Sequence, residues 1–138
     1  MPDVSLTWLG HGSFRFDSPG GKRIYLDPWL DNPKCPEAEK QPDRVDVMAI
    51  THGHADHMGS AVELGKRHSP RVVAIFELAG WLEAEGVEGA SALGMNKGGT
   101  VDVDGIRFTM TNALHSGGFV QGSNGDIVYL GDPAGYVI

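Results

Sequence analysis

"ITHGHADHMGS", residues 50–60, carries three of the chain's six histidines within six positions, with an aspartate between two of them. It follows "VDVMAI" (45–50), a nearly unbroken apolar run of the kind that forms a strand buried on both faces. It leads into "SAVELGKRH" (60–68), which reads as a helix with Ala61, Leu64 and Gly65 on one face and Ser60 and Glu63 at capping-box spacing. The histidines therefore sit at a strand-to-helix corner. In an extended segment, positions i and i+2 project to the same side. His52 and His54 can thus reach one ion, at nitrogen–metal distances of ~2.0–2.1 Å. Gly53 and Ala55 leave room for close backbone approach. Asp56 and His57 look into the same cavity from another angle, which suits a second ion roughly 3.5–4 Å from the first. The bland alternative is a chance run of polar residues in a surface turn. It does not explain why the pattern falls on the junction.

A third nitrogen is needed. His115, in "NALHSGG", ends a strand and is followed by two glycines, which makes it the natural partner of His52 and His54. Three histidines plus water form an open catalytic site rather than a closed structural one. His68, in "KRHSP", stands at a helix end beside basic residues and reads as a surface histidine.

The rest of the chain organises around this corner. Residues 4–17 hold two short alternating stretches separated by "GHG", and "SPGGK" (18–22) predicts a hairpin joining 13–17 to 23–27. "RIYLDPWL" is a strand ended by Pro28. Residues 31–44 are polar, carry three prolines and predict an exposed loop. "RVVAIF" (71–76) is a second buried strand. "ELAGWLEAEG" (77–86) is a helix with Leu78, Trp81 and Leu82 inward and Gly86 as its stop. Residues 99–115 form a hairpin turning at Asp104–Gly105, and "DIVYL" and "GYVI" are further strands. Strands buried on both faces need a second layer, and two packed sheets with helices outside supply it.

At 138 residues the chain fits a single domain, 1–138. Eleven Lys and Arg against 18 Asp and Glu give a net charge of −7 with no basic stripe, which argues against nucleic-acid binding. No apolar run approaches the ~20 residues of a membrane span, and the N-terminus lacks the features of a signal peptide. The expectation is a soluble, cytoplasmic protein. Cys35 is the one cysteine, so no internal disulfide holds the fold, and it reads as an incidental loop thiol.

"LGHGSFRF", "IYLDPWL", "THGHADHMG", "NALHSGG" and "GDPAGYVI", in that order, resemble the metal-dependent hydrolases grouped as uncharacterised protein family 173, within the metallo-β-lactamase superfamily. The resemblance implies an α+β fold, an αββα sandwich with two divalent metal ions at one edge between the sheets. It implies His52, His54 and His115 at the first ion and Asp56 and His57 at the second. It places Asp27 of "LDP" behind the ligands, where a carboxylate at a strand end can fix an imidazole tautomer. It places His11 beside the pocket, touching substrate or supporting a ligand. The expected chemistry is hydrolysis of a small-molecule ester, lactone, amide or phosphate by a metal-activated water, with Asp56 and His11 as the catalytic side chains and Asp56 orienting the water. Zinc is the expected metal, with manganese or iron as alternatives. Similarity to ascorbate-phosphate lactonases points toward a phosphorylated sugar lactone. The rival reading is an iron-dependent oxidoreductase of the same superfamily, or a metal-binding fragment without catalysis.

The superfamily pattern calls for two further ligands after His115, a bridging aspartate and a late histidine. Asp132 in "YLGDPAG" is rejected as the bridge, because the element matches one that precedes the bridging position. No histidine follows His115. The expectation is an N-terminal fragment with an incomplete sandwich and exposed apolar surface on its second sheet. A short natural form that completes its site as a homo-oligomer is the alternative.

Overall fold

A computed structural model describes residues 3–138. Its first sheet has six strands. β1 (Ser5–Trp8), β2 (Phe14–Asp17) and β3 (Arg23–Leu26) form an antiparallel meander. β4 (Val47–Ala49), β5 (Arg71–Ile75) and β6 (Gly94–Met95) extend it in parallel, in the order β1-β2-β3-β4-β5-β6. Parallel neighbours need crossovers, and helices supply them. α1 (Ala55–Met58) and α2 (Ala61–His68) connect β4 to β5, and α3 (Phe76–Ala84) connects β5 to β6. Because the strand order advances in one direction, right-handed crossovers put α2 and α3 on the same face.

The helices bury the faces their spacing predicts. α2 turns Ala61, Leu64 and Gly65 inward. Gly65 is required there, since a Cβ would lie 2.5 Å from Val87 Cγ1. Ser69, left-handed at φ +48°, closes the helix by donating its N–H to the Gly65 carbonyl. α3 buries Leu78, Ala79 and Leu82, while Trp81 is half-buried and packs on Phe119 at 5.5 Å between ring centroids. The capping box expected at Ser60 and Glu63 does not form. Ser60 Oγ instead accepts the Leu30 N–H at 2.9 Å, tying the start of α2 to the segment after Asp27.

The second sheet is antiparallel, in the order β11 (Ala134–Val137), β8 (Ile106–Asn112), β7 (Thr100–Val103). Asp104 and Gly105 join β7 to β8 at φ +54° and +84°, the pair of positive φ values that defines a type I′ hairpin turn. A separate hairpin, β9 (Gly118–Gln121) with β10 (Asp126–Tyr129), follows His115. Phe108 and Met110 of β8 are fully buried in one core with Val47, Met48, Val72 and Val73 of the first sheet. Tyr136 crosses between the sheets, donating its hydroxyl to the carbonyls of Ile50 (2.8 Å) and Val73 (3.2 Å).

The layers therefore run helix, sheet, sheet. These are three of the four layers of an αββα sandwich. Among the described residues no helix covers the outer face of the second sheet, because α1, α2 and α3 all lie in crossovers of the first. Away from the histidines, an open cleft of about 710 Å³ separates the two sheets and is lined by Phe16, Ile24, Ile106 and Val137. The loop 31–44 is less exposed than its composition suggests. Asn32 and Cys35 are buried, and Asn32 Nδ2 donates to the Leu9 carbonyl at 2.9 Å, bracing the turn at residues 10–12.

Candidate metal centre

Five of the six histidines form one continuous cluster where the first sheet meets the loop after β8. His52 packs against His57, His54 and His115 at 4.2, 4.6 and 4.7 Å between ring centroids, and His11 packs against His57 at 5.0 Å. His68 stands apart, half-buried at the end of α2 with its Nε2 sealed from solvent.

β4 ends at Ala49, the chain bends at Thr51, and His54, at φ −72° and ψ 144°, opens α1. His52 and His54 come out of this bend with their rings together, 4.6 Å apart between centroids. His52 Nε2 and His54 Nδ1 lie 3.1 Å apart. One donor atom from each of His52, His54 and His115 lies within 4.8 Å of the other two. Gly53 permits this, since a Cβ there would come within 2.7 Å of Leu130 Cδ1 and 2.8 Å of the Gly117 carbonyl. The segment carrying His52 and His54 and the loop carrying His115 are thus packed backbone to backbone. Asp56 and His57 sit in α1, and one donor atom from each forms a second group with His11, again within 4.8 Å.

Asp27 organises both groups from behind. Only 3% exposed, it accepts three hydrogen bonds: the Thr51 N–H on Oδ1 (2.7 Å), and the Thr51 hydroxyl (2.6 Å) and His57 Nδ1–H (2.9 Å) on Oδ2. With its hydrogen committed to Asp27, the Thr51 hydroxyl accepts from His52 Nδ1 at 2.8 Å. Both imidazoles are thereby fixed as Nδ1–H tautomers, and each presents a bare Nε2 to the cavity. Asp27 holds this position at φ +47°, and His11 holds its own at φ +50°. Left-handed backbone is unusual outside glycine, and such residues cluster at functional sites.

The donors fit a divalent cation. At a bond length near 2.05 Å, two ligands on one ion stand about 2.9 Å apart in octahedral and about 3.3 Å apart in tetrahedral geometry. The His52–His54 separation of 3.1 Å and the His11 Nε2–Asp56 Oδ2 separation of 3.0 Å fall between these limits. Neutral imidazoles with carboxylate suit borderline metals, and the electrostatics favour the neutral ring at His52. Burial, reinforced by His57, His54 and His115, holds that imidazole down at about 4. His57 moves the other way, because its hydrogen bond to Asp27 outweighs its burial. Burial raises the Asp56 carboxyl, but its backbone N–H, His57, His11 and His54 together carry it below the ordinary carboxylate value.

Each residue singled out from sequence has a place here. His52, His54, His115, Asp56 and His57 converge, and Asp27 stands behind them. His11 does not merely flank the cavity, because its ring touches both Asp56 and His57. Asp132 is outside the cluster, with its carboxylate taken by the Tyr129 hydroxyl at 2.9 Å and by Lys97 at 3.4 Å. Three contributors escaped the sequence reading. Thr51 relays Asp27 to His52, Ser116 places its hydroxyl 3.3 Å from His54 Nε2, and Gly12 lies against the His57 ring. A hydroxyl residue adjacent to a candidate ligand was the available signal for Thr51 and Ser116.

The helix, sheet, sheet order and this donor set define a domain of αββα type with a candidate metal site. The chain belongs to the beta-lactamase superfamily domain family, whose sequence model matches residues 5–138. It is 51% identical over 139 residues to a UPF0173 metal-dependent hydrolase of Koribacter versatilis, covering 100% of this chain and 58% of that protein. A UPF0173 metal-dependent hydrolase of Herpetosiphon aurantiacus is 44% identical over 140 residues, covering 100% and 57%. The chain thus spans a little under three-fifths of the length of these curated relatives, 58% and 57%. Among solved structures, it resembles Igni18, a metallo hydrolase of the archaeon Ignicoccus hospitalis, with a TM-score of 0.76, 29% identity, and coverage of 97% of this chain and 55% of that one. It shares its fold with CmlA, a diiron beta-hydroxylase of Streptomyces venezuelae, with a TM-score of 0.63, 19% identity, and coverage of 99% and 27%.

Proposed function

We propose that this domain carries the metal centre of a hydrolase that cleaves a small-molecule ester, lactone or phosphate. The observation that carries this reading is the convergence of ring nitrogens from His52, His54 and His115 within 4.8 Å of one another, beside Asp56 and His57. The relatives named metal-dependent hydrolases support it. In this reading His52, His54 and His115 hold one divalent ion, and Asp56 and His57 contribute to a second; zinc is the preferred metal, with manganese and iron as alternatives. When bound, such ions supply Lewis-acid chemistry, lowering the pKa of a bound water toward ~7 and favouring developing negative charge.

The chain's own groups do the rest. Asp27 fixes the imidazole tautomers, directly at His57 and through Thr51 at His52. The Asp56 carboxylate, ionised at neutral pH, accepts a hydrogen bond from the attacking water and aims it. His11 stands within hydrogen-bond distance of Asp56, at 3.0 Å. The net charge of −7 disfavours a polyanionic polymer and leaves a small molecule as the partner. The proposed location is the cytoplasm; no helix among the described residues is long and apolar enough to cross a membrane.

The test is hydrolysis of a panel of esters, lactones and phosphodiesters by the purified chain, measured as isolated, after chelation and after restoring zinc, manganese or iron. His52→Ala is the control, and elemental analysis of protein purified without added metal identifies the ion. Metal-restored activity that His52→Ala lacks supports the proposal. Turnover that ignores both chelation and the substitution refutes it.

A further inference from the structure

The second donor group has a member that a histidine cluster at a strand-to-helix corner does not predict. We propose that His11 is itself a metal ligand, the third protein donor to a divalent cation held by Asp56 and His57. This inference rests on the reading of the cluster as a metal centre and extends it to the turn between β1 and β2.

The geometry has three independent parts. First, His11 Nε2 stands 3.0 Å from Asp56 Oδ2, a separation that matches two ligands sharing one ion, and one atom from each of His11, Asp56 and His57 lies within 4.8 Å of the others. Second, the ring is aimed by its surroundings. It meets His57 and Trp29 edge-on at 5.0 and 5.7 Å between centroids, and the Trp8 indole N–H donates to the His11 carbonyl at 3.0 Å. Third, the backbone is built for this placement. His11 sits at φ +50° between Gly10, at φ +92°, and Gly12, where a Cβ would stand 2.7 Å from His57 Cε1. An ordinary turn between two strands needs neither a strained histidine nor a glycine pressed on a second imidazole.

The donor count points the same way. His57 has its Nδ1 on Asp27 and offers only Nε2, and Asp56 offers its carboxylate. A donor from His11 gives this group the same number of protein ligands from the described residues as the group at His52, His54 and His115. The set has two imidazoles and one carboxylate, which suits zinc, manganese, iron or cobalt in the divalent state. The competing reading is that His11 only donates a hydrogen bond to Asp56 and positions it.

Metal titration of the purified, metal-stripped chain separates these readings. Cobalt(II) and zinc are added to wild type, His11→Ala and His11→Gln, following the cobalt absorption bands, the heat of binding and the imidazole nitrogen shifts of 15N-histidine-labelled protein. Glutamine keeps a side-chain N–H donor for Asp56 and removes the imidazole. The expected result is two equivalents bound by wild type, a metal-induced shift of the His11 Nε2 resonance, and loss of affinity for one equivalent by 30-fold or more in both variants with the other unchanged. Circular dichroism must show both variants folded; thermal unfolding of the stripped proteins reports that directly, and the nitrogen shift in wild type needs no variant. Recovery of the second equivalent within threefold in His11→Gln, or a His11 resonance that metal leaves in place, overturns the assignment. If His52→Ala leaves both equivalents bound, the metal-centre reading itself fails, a result distinct from failure of His11 alone.

Discussion

Replacing Asp27 with asparagine should loosen the metal centre without touching any proposed ligand. Asparagine preserves the side-chain shape and tolerates left-handed backbone, so φ +47° at this position adds little strain. The change lies in hydrogen-bond sign. Asp27 accepts from Thr51 N–H, Thr51 Oγ–H and His57 Nδ1–H. An amide offers one accepting oxygen. If that oxygen keeps the Thr51 N–H, the NH2 group confronts two donors; if it turns over, the Thr51 N–H loses its partner. Each buried donor left unsatisfied costs about 1–3 kcal/mol, and either Thr51 or His57 can relieve the clash by changing tautomer or rotamer. Thr51 would then cease to hold His52 as the Nδ1–H form. Loss of such supporting contacts lowers metal affinity by about 10- to 100-fold, equivalent to about 1.4–2.7 kcal/mol. Stripped protein should lose about 2 kcal/mol of stability, which for a domain of this size lowers Tm by about 6–10 °C. Competition titration with a chromophoric chelator measures the first quantity and calorimetry the second. Affinity within twofold of wild type, with Tm unchanged, would refute the role assigned to Asp27.

Further outcomes follow from the same geometry. Gly12→Ala should lower affinity for one of two metal equivalents and lower Tm, because its Cβ would stand 2.7 Å from His57 Cε1 and 3.2 Å from Nδ1; chelator titration and thermal unfolding check it. Gly53→Ala should affect the other group, since the new methyl meets Leu130 and the Gly117 carbonyl and forces the His115 loop outward; His115→Ala should reproduce its metal loss with a smaller loss of Tm. The metal-stripped protein should weaken in acid. The His52 pKa is near 4 when folded and near 6.5 when unfolded, so the unfolded state binds the proton first. Stability from this group is full above about pH 6.5 and is lost between there and about pH 4, by about 3 kcal/mol. Urea titrations across that range, wild type against His52→Gln, test the sign, and a flat difference contradicts it.

Much of this site was legible in sequence, and particular residues show why. His52 and His54 stand two residues apart, and that spacing alone suggested rings close enough to share an ion, as the 4.6 Å between their centroids allows. The type I′ turn is likewise local, because Asp104–Gly105 can take positive φ at both positions. What was hidden depends on distant partners. The relay from Asp27 to Thr51 joins positions brought together only by parallel pairing of β3 with β4. The burial of Asn32 and Cys35 defies a polar, proline-rich context because that loop folds under the turn that carries His11. Strand β9 begins with glycine and is four residues long, too short for alternation to show. Ser60 had the right neighbour for a capping box, but the Leu30 amide claimed its hydroxyl.

The imidazole of His115 belongs to the loop that leaves β8, whereas the other donors belong to the turns and the short helix attached to the first sheet. A cation bound there would therefore act as a rivet through the seam, joining segments that meet only once both sheets have formed. Its capture becomes one of the last events in folding, and its removal should set the β8–β11 half breathing, open to proteases, while the parallel strands stay closed.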